Sequence, residues 1–377
     1  MRLAPGSRRL IKGLLIVAAS LTGTASFAGE YPPPGTAEAT TQKGAPQSLS
    51  SALVKVAAAS SPLDAAVAAG FRVHEGRIQV HVDCATPEDA ATVVALLGTE
   101  GADTVLSRDS RVQAWVKAAT LTVLASTPGV VRVRRPDYAS IPPDPVVASP
   151  DLGPSSLRAG ANLTAGLAAM NGQSWHASGN TGQGVKIGII DDFAGYEALL
   201  GSDLPPAGRL EFRKIGGGPR SASPHGTACA EIVYDVAPSL EKMYLVEAAT
   251  GLDVELAIDQ LTAAGARIIS ASFGFPYSTY MDGAGFLSDE LGGFRTAGGL
   301  YVNSAGNYRK VTWWGSFIDG DGDGWLDLTS SSDDELNDLI LDDGRAYYYP
   351  VGREIKVAIR WSQPTAPQTD LNLYLYR

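Results

Sequence analysis

The feature that most constrains this chain is a series of short apolar segments that alternate with helix signals from Gly182 onwards. At least half of the residues in each segment are apolar, as in strands buried on both faces of a parallel sheet; the segments are 185–190, 242–247, 267–272 and 300–304. A helix capped by Asp253 and ended by Gly265 is predicted between the second and third segments. This alternation predicts an α/β fold with a doubly wound parallel sheet, in which chemistry gathers at the carboxyl ends of the strands.

A different pattern precedes this sheet. Residues 77–84 alternate between apolar and polar side chains, which predicts a half-buried strand with His81 on its solvent face. Thr86 is predicted to cap the helix that follows, and Gly98 to end it. Further strands and a short helix complete the order β-α-β-β-α-β, typical of a small ferredoxin-like α+β domain; they are expected at 102–106, 111–117, 121–126 and 130–134.

Changes in composition divide the rest of the chain. Stretches rich in Ala, Ser, Pro and Thr are interpreted as linkers, and alternation at 355–361 and 371–375 predicts two strands. Since two strands do not form a stable sheet alone, we expect them to begin an inserted β-sandwich. The predicted segments are a signal peptide at 1–28, a flexible linker at 29–76, the ferredoxin-like domain at 77–136, a Pro-rich linker at 137–158, the wound α/β domain at 159–310, and an acidic loop with a partial β-sandwich at 311–377.

The first 28 residues have the features of an export signal. A basic start that includes Arg8 and Arg9 is followed by an apolar run at 13–23, and Ser26 and Ala28 then supply small residues before a cleavage point. The apolar run is too short to span a bilayer. We therefore expect a secreted or periplasmic product with no membrane span after the signal is removed.

The overall composition excludes several function classes. A formal net charge of −10 disfavours nucleic acid as a partner, because phosphate contacts need clustered Lys and Arg. Two Cys in 377 residues exclude a disulfide scaffold and a Cys-rich zinc module. Cys229 is interpreted as a small packing residue, and a bridge to Cys84 is not expected because the two lie in different predicted domains. No motif for an organic cofactor is present.

Three polar residues at strand or helix ends of the predicted α/β domain are candidate functional residues. Asp191 comes directly after the strand at 185–190, with Asp192 as a competing candidate. His225 lies at a helix start within a run of small residues, where the backbone rather than a loop positions it. Asn307 follows the strand at 300–304 and could offer its side-chain N–H to a developing oxyanion.

Four separated blocks resemble the signature segments of the subtilisin-like serine proteases. They are 184–191 (GVKIGIID), 225–228 (HGTA), 304–307 (SAGN) and 270–274 (SASFG). The first three occur in the family order of Asp, His and oxyanion Asn. The first block departs in one respect, because Phe193 stands where the family usually has Gly.

The resemblance implies roles for these residues. Asp191 and His225 would be two members of a Ser-His-Asp triad, and Asn307 would stabilise the oxyanion. The segment Ser272, Phe273 and Gly274 would line the cleft and pair with an extended polypeptide substrate. The ferredoxin-like domain would be a propeptide that acts as an intramolecular chaperone and inhibitor. The implied fold is a subtilisin-like wound sheet, incomplete in this sequence.

The nucleophilic serine of the family is not found in its expected context. The family places it in a Gly-Thr-Ser block at a helix start after the Asn, whereas the serines after Asn307 lack such a context; they are Ser316, Ser330, Ser331, Ser332 and Ser362. We therefore expect a precursor protease whose reading frame continues past Arg377, and almost no activity from the chain as written. The alternative is a secreted calcium-binding or adhesion protein on a catalytically dead protease scaffold.

An acidic loop adds a candidate metal site. It places carboxylates at positions 1, 3, 5 and 9 of a calcium-loop spacing and Gly324 at position 6, although Ser330 replaces the usual bidentate Glu at position 12. The sequence therefore predicts a weak Ca²⁺ site, and its candidate ligands are Asp319, Asp321, Asp323 and Asp327.

Overall fold

The computed structural model describes residues 12–21, 48–139, 165–275, 285–305, 312–316 and 354–361. In chain order the strands are β1 Lys12–Leu21, β2 Val73–His74, β3 Arg77–Cys84, β4 Asp103–Arg108, β5 Arg111–Val116, β6 Val130–Arg134, β7 Lys186–Ile190, β8 Leu210–Lys214, β9 Lys242–Glu247, β10 Ile268–Ala271, β11 Leu300–Asn303, β12 Thr312–Ser316 and β13 Glu354–Trp361. The helices are α1 Ser51–Ala58, α2 Pro62–Ala68, α3 Pro87–Thr99, α4 Thr120–Ser126, α5 Ala165–Ala169, α6 Gly172–Ala177, α7 His225–Val236, α8 Gly251–Ala263 and α9 Phe286–Thr296. None of the helices in these ranges has the length and apolar character that spanning a bilayer requires.

The first unit comprises residues 48–139, with α1–α4 and β2–β6, and the second unit comprises residues 165–275 and 285–305, with α5–α9 and β7–β11. The antiparallel sheet of the first unit has the strand arrangement that the sequence predicts. Strand β3 lies between β5 and β6, and β4 pairs with the far side of β5, all antiparallel. Helices α3 and α4 complete the β-α-β-β-α-β order. Helix α3 begins after a capping box in which Thr86 and Asp89 bond each other's backbone N–H groups, as the predicted cap requires. The helix continues one residue beyond Gly98.

The interpretation of residues 29–76 as a flexible linker is wrong for its described part. Helices α1 and α2 and strand β2 all lie within it. Leu53 and Val56 of α1 and Ala66 of α2 are almost fully buried in the apolar core of this unit. The stretch resembles a linker because Ala and Ser dominate it, but these few apolar residues are enough to pack two short helices on the sheet.

The placement of His81 on a solvent face is also wrong. His81 is only 5% exposed, and Gln79 on the same face is 1% exposed. The opposite face of β3 packs Ile78, Val80 and Val82 into the core of the first unit. The face with His81 is buried as well, because it lies against the second unit, where His81, Thr250 and Phe286 line a common pocket.

The second unit contains a five-stranded sheet in the order β11-β10-β7-β9-β8. All of its strand pairs are parallel, as the sequence predicts. Side chains on one face pack with α8, where Val254, Ala257 and Leu261 are fully buried. Those on the other face pack with Ala230 of α7. Helices therefore cover both faces of a mixed α/β molecule, and the carboxyl ends of the strands share one edge.

The cap of α8 differs from the prediction. Thr250 is the N-cap, and its hydroxyl accepts the backbone N–H of Asp253, whose carboxylate accepts the backbone N–H of Thr250 in return. Asp253 therefore occupies the third position of a capping box rather than the cap itself. Gly265 follows the helix with a φ of +81°, as expected for a residue that ends one.

The two units meet through polar side chains on the outer face of the antiparallel sheet. Arg111 of β5 forms a bidentate ion pair with Glu255 of α8, with both N···O distances at 2.7 Å. The side-chain amide of Gln113 donates to Asp253, and the indole N–H of Trp115 donates to the carbonyl of Gly216. A charged and hydrogen-bonded surface thus joins the first unit to the second.

Strands β1, β12 and β13 form a small separate sheet in which β1 pairs antiparallel with both others. The strand predicted at 355–361 is confirmed as β13. Strand β1 falls within the predicted signal peptide, and cleavage of that segment stays a prediction. The predicted strand at 371–375 and the acidic loop lie outside the described residues.

Candidate active site

Asp191 is the first residue after the central strand β7, and its carboxylate is enclosed. The side chain has 0% relative exposure, and the backbone N–H of Asp192 donates to Asp191 Oδ1 over 2.7 Å. The N–H of Asp191 itself continues the sheet by donating to the carbonyl of Val246. The strand and its turn therefore fix both the position and the direction of this carboxylate.

His225 is the first residue of α7, and two of the three hydrogen bonds at this helix start join it to the turn after β7. The backbone N–H of His225 donates to Ser223 Oγ, and that of Gly226 donates to the carbonyl of Asp192 over 2.8 Å. The hydroxyl of Thr227 donates to the carbonyl of Ala194. A Cβ on Gly226 would lie 2.4 Å from Asp191 Cβ, so only Gly permits this close approach.

The central contact of the site joins these two residues. His225 Nδ1 lies 2.9 Å from both carboxylate oxygens of Asp191. The sequence left Asp191 and Asp192 as competing candidates, and the structure brings Asp191 to the ring. Asp192 instead contributes its backbone carbonyl to the helix start. The pair has the geometry in which a carboxylate fixes the tautomer of an imidazole and stabilises its protonated form.

The electrostatics of the pair follow from its burial. Loss of solvent raises the pKa of Asp191 above its ordinary value, while the Asp192 N–H and the His225 ring oppose that rise. The imidazole is 37% exposed, so its second nitrogen remains accessible to a reacting group. A buried acceptor behind an accessible ring is suited to general acid–base chemistry.

The register of the sheet brings the other predicted segments to the same edge. Ala271, the last residue of β10, pairs with Ile190 on one side and Asn303 on the other. Residues 191, 272 and 304 therefore leave the sheet at one level, and the Ser304 N–H donates to the Ala271 carbonyl. Asn307 lies just outside the described residues.

The proposed peptide-binding segment divides between the site and the core. Ser272 is half-buried, and its Oγ lies 3.8 Å from Cys229 Sγ. Phe273 is buried in the apolar cluster of the second unit and makes an edge-to-face contact with Phe275. A substrate could therefore contact the backbone at Phe273 and Gly274, but not the enclosed aromatic ring.

Cys229 belongs to this site, although its sequence context predicted a packing residue. It lies one helical turn after His225, so the two side chains share a face of α7. The ligand atoms of Asp191, His225 and Cys229 all lie within 4.8 Å of one another. The spacing of His225 and Cys229 on a predicted helix was the signal that could have identified this neighbour.

The residues that join the two units were not predicted from the sequence. Arg108 contacts Glu255, Asp259 and Glu290 of α8 and α9. Arg111 adds its contact with Glu255, whose side chain is 2% exposed. Two basic residues that flank the β4–β5 turn were a weak signal, because exposed strand ends commonly carry Arg.

Among the serines rejected as the nucleophile and the predicted calcium ligands, only Ser316 lies within the described residues. Ser316 ends β12 in the small separate sheet, where it pairs with Lys12. The other late serines fall outside the described ranges, and so do the predicted calcium ligands Asp319, Asp321, Asp323 and Asp327. Cys84 and Cys229 are both free thiols.

Comparison with known proteins gives limited similarity. No family model matches the chain, and no curated protein matches it. A mutant form of the epidermin leader peptide processing serine protease (EpiP) from Staphylococcus aureus is similar at a TM-score of 0.34 and 15% identity, over 53% of this chain and 51% of that chain. The EpiP structure without that mutation is similar at a TM-score of 0.34 and 13% identity, over 62% and 61% of the two chains. The chain thus spans less than two thirds of either structure, and the similarity to a serine protease scaffold is weak.

Proposed function

We propose that this chain is the precursor of an exported, subtilisin-like serine endopeptidase. The observation that supports the proposal most directly is the contact between His225 Nδ1 and the buried carboxylate of Asp191, 2.9 Å apart at the carboxyl edge of a parallel sheet. This is the edge at which catalytic groups collect in wound sheets. The described residues of the four blocks that resemble the subtilisin-like family lie at or next to the same edge.

In the proposed mechanism, His225 transfers a proton, while Asp191 and Asn307 stabilise charges that develop during the reaction. The Nδ1–H of His225 donates to Asp191, which leaves Nε2 free to accept the proton of a serine hydroxyl. The hydroxyl oxygen attacks the peptide carbonyl, and His225 then returns the proton to the leaving amine. Asn307 donates its side-chain N–H to the oxyanion, and the backbone at 272–274 pairs with the extended substrate.

Several parts of the proposal rest mainly on the sequence. The nucleophile is assigned to a Gly-Thr-Ser segment that follows in the same reading frame. Export is assigned to residues 1–28, and Ca²⁺ binding to the acidic loop with Asp319, Asp321, Asp323 and Asp327. The unit at 77–136 is assigned the role of a propeptide, and its charged contacts with α8 support that assignment.

The test uses the product of the complete reading frame, treated with a fluorophosphonate probe and a peptide substrate. We expect His225→Ala to abolish labelling and to lower kcat by about 10⁶-fold, because the serine loses its base. Asp191→Asn should lower kcat by roughly 10⁴-fold through loss of the correct tautomer. Asp192→Asn is the matched control for the acid.

His176→Ala is the matched control for the imidazole, since His176 Nε2 contacts the carbonyl of Val236 at the other end of α7. Both controls should keep labelling and turnover within a few-fold of the unmodified enzyme. Undiminished turnover in His225→Ala would overturn the assignment. Absence of labelling in the unmodified product would favour the alternative, a calcium-dependent binding or adhesion protein on a dead scaffold.

A further inference from the structure

Three side chains of different chemistry converge at the start of α7. Cys229 follows His225 by one helical turn, and Asp191 approaches the same face from the end of β7. One ligand atom from each residue lies within 4.8 Å of the other two. Asp191 is buried, while His225 and Cys229 are partly open to solvent, so an ion could reach the group from one side.

We propose that Asp191, His225 and Cys229 form a binding site for a zinc ion, with a fourth position open to solvent. A carboxylate oxygen, an imidazole nitrogen and a thiolate are all established zinc ligands, and three protein ligands with one open position give a tetrahedral site. The thiolate disfavours the hard cations Mg²⁺ and Ca²⁺, which prefer oxygen. The site is therefore distinct in chemistry from the acidic loop.

The distances require only small movements. In a tetrahedral site with bonds of about 2.0–2.3 Å, neighbouring ligand atoms lie roughly 3.3–3.7 Å apart. The Asp191 and His225 atoms, now 2.9 Å apart, would separate by less than an ångström. The thiol would approach by about an ångström from the 4.8 Å limit of the group, and its position on a partly exposed helix face leaves room for a rotamer change.

The protons and charges balance when the ion binds. The thiol proton leaves to solvent, and the ring keeps one proton, which moves from Nδ1 to Nε2. Zn²⁺ is then matched by one carboxylate and one thiolate, so the buried group is neutral. This neutrality matters because a net charge beside the enclosed Asp191 would be costly to desolvate.

Neighbouring groups would orient two of the three ligands. The backbone N–H of Asp192 donates to Asp191 Oδ1 over 2.7 Å and leaves Oδ2 for the metal. The Ser272 hydroxyl, 3.8 Å from Cys229 Sγ, could donate to the thiolate. Such outer contacts commonly contribute 10–100-fold to metal affinity.

Zinc binding would also prevent His225 from acting as the general base. With its proton on Nε2, His225 cannot accept the proton of a serine hydroxyl, so zinc would act as a reversible inhibitor. This consequence rests on the proposed function, whereas binding of the ion does not. The two can therefore be tested separately.

The binding test uses the full chain and Co²⁺ as a spectroscopic substitute for Zn²⁺. We expect a thiolate-to-cobalt charge-transfer band in the near ultraviolet and visible bands of tetrahedral cobalt, both removed by stoichiometric Zn²⁺. Cys229→Ser and Cys229→Ala should abolish the charge-transfer band and raise the Zn²⁺ dissociation constant by more than about tenfold. Cys84→Ala should change neither, because Cys84 is buried in the other unit.

The outcomes separate the two proposals. Circular dichroism shows whether each variant is folded, and only folded variants are compared. A cobalt spectrum without a thiolate band, or a band that persists in both Cys229 variants, would overturn the zinc site. Zinc binding without inhibition of peptide cleavage in the complete product would leave the site standing and contradict the role of His225 as base.

Discussion

The two faces of the antiparallel sheet are both buried, but by different chemistry. On the inner face of β3, Ile78, Val80 and Val82 are enclosed by the apolar core of the first unit. On the outer face, Gln79 and His81 are almost as deeply enclosed. A strand with alternating side chains therefore need not have a solvent face, since the polar side can be covered by a second unit with matching polar groups.

The outer face is held by hydrogen bonds between polar side chains, whereas the inner face is held by apolar packing. Gln113, paired with His81 across the sheet, donates to Asp253 and accepts the hydroxyl of Thr250, so a single amide links β5 to the cap of α8. Burial of these polar groups costs desolvation free energy, which their hydrogen bonds offset. Burial of the apolar side chains on the inner face is directly favourable. We therefore expect the inner face to dominate stability and the outer face to determine how the units associate.

The largest expected effect comes from removing an apolar side chain of the inner core. Leu53 of α1 has 0% exposure, so Leu53→Ala should lower the free energy of unfolding by about 2–5 kcal/mol. Val67→Ala on α2 is the control, because that side chain is 60% exposed and should change stability by less than about 0.5 kcal/mol. Urea unfolding measures both. Equal, negligible effects would restore the interpretation of this stretch as a linker.

An intermediate effect is expected from breaking the charged contact between the units. Glu255→Ala removes the shared partner of Arg108 and Arg111 and leaves two partly enclosed guanidinium groups without it. The cost should be about 2–3 kcal/mol, with faster amide hydrogen exchange in β4 and β5.

Glu211→Ala is the matched control, because Glu211 also pairs with an arginine, Arg213, but its side chain is 43% exposed, against 2% for Glu255. Exposed ion pairs contribute less than about 1 kcal/mol, so this variant should behave almost like the unmodified chain. If both variants lose the same small amount of unfolding free energy, the outer face does not hold the units together as we infer.

The smallest effect concerns pH. Burial, with the negative charge of Asp259 and despite Arg108, raises the pKa of Glu290 to about 7. Since the pKa is higher in the folded state, the stabilising contribution of this proton is complete below the ordinary value of 4.5 and is lost as the pH rises through about 7. Glu290→Gln keeps the neutral form, so it should match the unmodified chain at pH 4.5 and be more stable at pH 8, by on the order of 1 kcal/mol.

The measurement is the unfolding free energy at the two pH values. Glu241→Gln serves as the control, since that side chain is 53% exposed and lies away from the interface. A pH-independent difference between Glu290→Gln and the unmodified chain would show that the carboxyl group does not titrate as stated.

Local patterns in the sequence were sufficient for most elements of the fold. The strands β3, β6 and β9 match their predicted bounds, and Thr86 caps α3 as expected. These features depend on periodicity and capping, which act within a few residues. Helices α1 and α2 were missed because packing on the sheet, rather than a strong local signal, stabilises them.

The candidate site was only partly predictable. The sequence placed Asp191 and His225 at the ends of elements that meet at one sheet edge and favoured Asp191, but it left Asp192 as a competing candidate. Neighbouring residues at a strand end point in different directions, and the docking of α7 decides which one meets the ring. Cys229 joins the site for the same reason, through a helix position whose neighbours depend on tertiary packing.

The sequence by itself determined the alternation of strands and helices, the class of fold and the small set of polar residues at strand ends, because these follow from interactions between near neighbours. Only the tertiary structure decided which carboxylate faces His225, that Cys229 shares the site, and that His81 is covered rather than solvated. Those properties arise where distant segments exclude water from one another, and burial of that kind is a property of the assembled surfaces rather than of any short stretch of chain.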